Sequence, residues 1–145
     1  MKNIYNSFEE EHVVIIPSFI DKFLLNKVEL SAIDLEQRII SLGLMVESYG
    51  VINSETNKLF LKVEDDRETI VNIISDFLTT KKSDEIVEVF WSNFNKYSIV
   101  CDIEFVIENI SNIFDEDWDF WIIQRDNQWV VENYHEEILS IYVII

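Results

Sequence analysis

The chain has 145 residues and carries 28 acidic against 11 basic side chains, a net charge of −17. That field repels nucleic acid and anionic membranes and attracts basic proteins. A hydrophobic content of 48% excludes disorder, a lone cysteine, Cys101, excludes an internal disulfide, and no apolar run reaches the ~18 residues of a membrane span.

The first residues, MKNIYNSFEEEH, lack the apolar core of a signal peptide. One soluble, cytoplasmic domain spanning 1–145 is expected, with 1–11 as a loosely held arm. Val13-Val14-Ile15-Ile16 is a short apolar run stopped by Pro17, suited to a strand buried on both faces. Ser18 can cap a helix carrying Phe19, Ile20, Phe23, Leu24 and Val28. Ser31, with Asp34 three residues on, starts a second helix bearing Leu35, Ile39 and Leu42, and Gly43 sits where the chain would leave it.

Two strands, 44–52 and 58–63, are expected around the turn-rich Asn53-Ser54-Glu55-Thr56-Asn57. The clearest helix follows, capped by Asp65 or Asp66, with Ile70, Ile73, Ile74, Phe77 and Leu78 at helical spacing. Residues 85–91 alternate acidic and apolar side chains like a half-exposed strand, and 92–97 read as a loop. Asp102 then caps a helix with Ile103, Val106, Ile107, Ile110 and Phe114 on one side.

A strand at 120–124 is expected to turn at Asp126-Asn127 and return from Trp129 to Glu132. That register sets Gln124 against Trp129, Ile122 against Val131 and Trp121 against Glu132. The final run, 138–145, is too apolar for a sheet edge and suits a central strand paired on both sides. The sum is an α+β domain, a mostly antiparallel sheet with three to four helices packed on it.

Charge and aromatics concentrate near the end of the chain. From Cys101 onward eleven acidic residues meet one basic residue, Arg125, so this segment holds −10 of the −17. At its centre stands Asp115-Glu116-Asp117-Trp118-Asp119-Phe120-Trp121, with no basic residue between Lys96 and Arg125. Glu132-Asn133-Tyr134-His135 has the Glu-x-x-His spacing of di-metal helices, but the further ligands such a site needs are missing, so no metal and no cofactor is expected. Cys101 lies between Val100 and Asp102, which disfavours a thiolate nucleophile. No nucleophile elbow, zinc-protease motif or phosphate loop is present, and a catalytic role is not expected.

Two readings of the acidic-aromatic segment stand. In one, the aromatics are core and the acids a solvated loop. In the other, Asp115, Glu116, Asp117, Trp118, Asp119, Trp121, Glu132, Tyr134, Glu136 and Glu137 form a partner-binding surface, aromatic anchors ringed by carboxylates that pair with Lys or Arg. Its partner would be a basic protein, with neither nucleic acid nor membrane involved.

In size, lone cysteine, acidity and the interleaved acids and aromatics of 115–121 and 129–137, the chain resembles the small acidic immunity proteins of bacterial toxin systems, contact-dependent growth inhibition among them. The resemblance is one of overall character and transfers no residue roles. It implies binding and neutralisation of a toxin domain, often a basic nuclease, with carboxylates standing where substrate phosphates would lie. The alternative is a nucleic-acid mimic that inhibits a host nuclease, restriction or CRISPR system, for which Glu85, Glu88, Glu104 and Glu108 supply dispersed acids.

Overall fold

The computed structural model describes residues 15–93, 95–135 and 137–144. The N-terminal arm, Val13-Val14 of the first expected strand, and Glu136 of the expected surface lie outside them. In chain order the elements are a 3₁₀ helix Leu24–Lys27, β1 Glu29–Ser31, α1 Leu35–Ile40, β2 Leu59–Glu64, α2 Arg67–Thr79, β3 Ile86–Trp91, β4 Ser98–Asp102, α3 Ile103–Glu108, α4 Ile110–Glu116, β5 Phe120–Gln124, β6 Trp129–Tyr134 and β7 Ile138–Val143.

The strands form one seven-stranded sheet in the order β1-β4-β3-β5-β6-β7-β2. Each neighbouring pair is antiparallel. The architecture is therefore α+β, four helices packed on a mostly antiparallel sheet. β5 and β6 pair in the expected register, Ile122 against Val131 and Trp121 against Glu132. β7 lies between β6 and β2, which protects its apolar backbone on both sides.

Both faces of the sheet are covered. On one, Ile70, Ile74 and Leu78 of α2 join Val106 of α3 and Ile113 of α4 against Val87, Val89, Ile99, Ile122, Val131 and Ile141. On the other, Ile39 of α1 with Leu42, Leu44 and Ile52 cover Phe90, Trp121, Ile123, Val130 and Tyr142. Alternation along a strand therefore separates one core from the other rather than core from solvent. Phe120 and Trp121 point to opposite faces and both are fully buried. β3 follows the same rule: its acidic Glu88 is not a solvent-facing residue but pairs with Arg38 of α1 at 2.8 Å.

Local chemistry sets the element boundaries. Asp66 caps α2 by accepting the Thr69 N–H at 2.9 Å, and Asp102 caps α3 through Phe105 at 2.8 Å. Asp34, not Ser31, caps α1, accepting from Gln37 at 2.9 Å. Ser31 instead ends β1 opposite Ser98. The helix expected after Ser18 does not form beyond the 3₁₀ turn. Both donors of Ser18, its N–H and its hydroxyl, go to Glu116 Oε1 at 2.8 Å, and Asp21 caps the short turn through Leu24.

The helix expected across 103–114 is divided at Asn109, whose backbone leaves helical geometry (φ −114°, ψ 20°) while its side chain donates to Phe105 O at 3.0 Å. The expected strand 44–52 folds back on itself instead. Its Val46–Ile52 bridge closes over Tyr49 and Gly50 at positive φ.

Candidate functional site

The acidic-aromatic segment lies at one end of the sheet, where α4 hands over to β5. Two antiparallel pairings bring other acids to the same place. The turn from β6 to β7 ends there, and Asp65, just past β2, donates its N–H to Glu137 O at 3.0 Å. Asp119 Oδ1 accepts the His135 N–H at 2.6 Å, tying the start of β5 to that turn. The start of α2 follows at once, with Arg67 Nη2 2.7 Å from Asp115.

Nine described carboxylates lie along this end of the sheet, those of Glu64, Asp65, Asp66, Glu68, Asp115, Glu116, Asp117, Asp119 and Glu137, and among the described residues the cations paired with them are Arg67 and Lys96. Sequence reading missed Glu64, Asp65, Asp66 and Glu68 as members of this group. They stand about fifty residues upstream, and only the pairing of β2 with β7 brings them in.

The four acids of the loop are not equivalent, and the loop has counter-charges that sequence distance concealed. Asp115 is exposed and shares Arg67. Glu116 is enclosed. It pairs with Lys96 at 2.5 Å, the two side chains being 8% and 4% exposed. Burial would raise the Glu116 pKa, but donation from Lys96 and Ser18 outweighs burial and holds it below its ordinary value. Asp117 spends its oxygens on backbone N–H groups, Oδ2 on Asn93 at 3.2 Å and Oδ1 on Trp118 at 2.8 Å. Asp119 is half-buried, and that burial raises its pKa against the His135 hydrogen bond and charge.

The aromatics divide as sharply. Trp118 is 67% exposed, whereas Trp91, Trp121 and Trp129 are at most 5% exposed. Trp118 meets His135 nearly edge to face, with centroids 6.3 Å apart, and His135 contacts Tyr134 at 3.9 Å. Glu137 is exposed and Tyr134 half-buried.

Trp121 and Glu132 leave the expected surface. Both are interior, on the sheet face covered by α1 and the 42–52 segment, because that face is roofed rather than open. In this arrangement neither offers a side chain to a partner. Glu132 Oε2 accepts from the indole Nε1 of Trp121 and from the Ile52 N–H, each at 2.8 Å. Burial raises its pKa to about 7 despite those donors and the charge of Lys62.

Compared with protein-family models and with curated proteins, the chain matches none.

Among the described residues no group of three or more His, Cys, Asp or Glu side chains is placed to hold a metal ion. The Glu-x-x-His spacing is divided between the buried Glu132 and the exposed His135. Cys101 is buried, and burial first and Asp102 second push its thiol pKa up, away from a reactive thiolate. No helix among the described residues is long and apolar enough to cross a membrane. This end of the molecule sets hydrogen-bonded carboxylates of Glu116, Asp117 and Asp119 beside an exposed indole, Trp118.

Proposed function

We propose that this protein is an immunity protein, which binds and neutralises a basic, nuclease-type toxin domain through the acidic end of its sheet. The observation that carries the reading is the 67% exposure of Trp118 at the end of the sheet along which nine described carboxylates lie. An exposed tryptophan is the side-chain type that most often anchors an interface, and a charged rim sets the encounter rate and selects partners of opposite sign. Arg67 and Lys96 already face carboxylates of the same chain, so they leave the sign of this end negative.

The division between buried and exposed groups supports a rigid platform. Glu116, Asp117 and Asp119 hold the loop through Lys96, Ser18, Asn93 and His135, while Glu64, Glu68, Asp115 and Glu137 stand in solvent. A partner would thus meet carboxylates whose scaffold is already ordered, which limits the entropy lost on binding.

The test is capture from the native host at low and high salt, followed by assay of the captured protein. The reading expects a basic toxin nuclease domain, released by salt, whose nuclease activity this protein abolishes when the two are mixed. An acidic or neutral partner, or a nuclease that stays active in the complex, contradicts it. A captured restriction or phage-defence nuclease would replace the reading with nucleic-acid mimicry.

A further inference from the structure

Trp118, His135 and Tyr134 form a row of rings, and carboxylates hold the backbone N–H groups of Trp118 and His135. His135 adopts φ 56°, a left-handed conformation uncommon outside glycine, although His, Asn and Asp tolerate it better than most. Its N–H is held by Asp119 Oδ1 at 2.6 Å. On the other side, the Trp118 N–H is held by Asp117 Oδ1 at 2.8 Å. The two rings stand at 75° to each other, which makes an open corner rather than a closed stack. An indole that is 67% exposed presents at least one face to solvent.

The carboxylate beside this corner has spare capacity. Asp119 gives Oδ1 to His135, and its Oδ2 takes no hydrogen bond from the described residues. An ionised carboxylate can accept about four hydrogen bonds over its two oxygens. Glu137 stands exposed in the same turn as His135.

We propose that this corner seats an arginine side chain of the protein's partner, its guanidinium lying on the Trp118 face and donating to Asp119 Oδ2. The proposal rests on the binding function above and names the group that would be recognised. Guanidinium is planar, weakly hydrated and rich in donors, so it can stack and donate at once. Tryptophan is the best of the aromatic cation receptors. A lysine ammonium fits less well, since it cannot lie flat on the ring while donating sideways to a carboxylate. An apolar partner group would leave the surrounding carboxylates without counter-charge.

The probe is a dye-labelled arginine–glycine peptide, compared with its lysine and citrulline counterparts at physiological ionic strength. Peptide anisotropy reports binding anywhere on the protein. Tryptophan emission reports the corner, because the other three tryptophans are buried. The proposal expects saturable binding of the arginine peptide with a matching change in emission, weaker binding of the lysine peptide and none of citrulline. Trp118→Leu should weaken arginine binding about fivefold, and Trp118→Phe should restore part of the loss. Anisotropy that saturates without an emission change, with Trp118→Leu binding as wild type does, overturns the seat and leaves an acidic binding surface standing. If neither the arginine nor the lysine peptide binds, the seat and the acidic-surface reading fall together.

Discussion

Trp121 and Glu132 face each other across β5 and β6, and the indole donates to the carboxylate at 2.8 Å. The same Glu132 oxygen holds the Ile52 N–H at 2.8 Å, so one buried carboxylate fastens the 44–52 segment to the middle of the sheet. Such an arrangement is costly when charged and inexpensive when protonated.

A pH dependence follows. The folded-state pKa of Glu132, about 7, lies above its ordinary 4.5. The folded protein therefore holds this proton more tightly than the unfolded chain does. Its contribution is fully present below 4.5 and is lost as pH rises through about 7. The whole effect is roughly 3 kcal/mol. Urea denaturation across that interval should show stability falling with rising pH, and Glu132→Gln should flatten the slope. An equal slope in the variant would assign the effect to other groups.

The tryptophans make a second contrast. Trp121 is fully buried and Trp118 is 67% exposed. Trp121→Ala should cost about 3–5 kcal/mol through the cavity it leaves. Trp118→Ala should stay within about 0.5 kcal/mol. Equilibrium unfolding with both variants decides, and comparable losses at the two positions would contradict the placement of either ring.

Neighbouring acids should differ in the same way. Glu116→Gln leaves Lys96 enclosed without its counter-charge, at a cost of about 3–5 kcal/mol. Asp115→Asn loosens an exposed pair worth less than ~1 kcal/mol. Because the Glu116 pKa is depressed in the fold, its contribution is present above its ordinary 4.5 and is lost as pH falls through the lower folded value. The acid limb of the stability profile should therefore shrink in Glu116→Gln and persist in Asp115→Asn.

The two glycines supply a fourth test. Gly43 and Gly50 have φ values of 80° and 84°, where a side chain costs about 1–2 kcal/mol. A Cβ at Gly43 would meet nothing within 4 Å, but at Gly50 it would lie 2.7 Å from Leu35 Cδ2. Gly50→Ala should thus lower Tm more than Gly43→Ala, and Leu35→Ala should recover part of the difference.

What was legible in the sequence was mostly local. The helical spacing of Ile70, Ile74 and Leu78 and the cap at Asp66 place α2, and the apolar runs on either side of the Asp126-Asn127 turn place β5, β6 and their register. The end of the sheet was not legible, because it is assembled by distant partners. Ser18 looks like a helix cap until Glu116 takes both of its donors, and the loop looks unbalanced until Arg67 and Lys96 arrive. Sequence alone leaves Trp121 and Glu132 open between core and surface, because strand alternation carries no sign of whether the second face is roofed. β4, over Ser98-Ile99-Val100-Cys101-Asp102, carries only one β-branched pair as a strand signal, and its last residue, Asp102, doubles as the cap of the helix that follows.

The most direct measurement of the central claim is the association rate of the captured partner as a function of ionic strength, for wild type and for the triple variant Glu64→Lys, Glu68→Lys, Glu137→Lys. All three side chains are exposed, so the fold should be intact by circular dichroism. Steering by the acidic end of the sheet predicts a rate constant lowered about tenfold or more, with a flatter dependence on salt. A triple variant that associates at the wild-type rate, with the wild-type salt dependence, would contradict it.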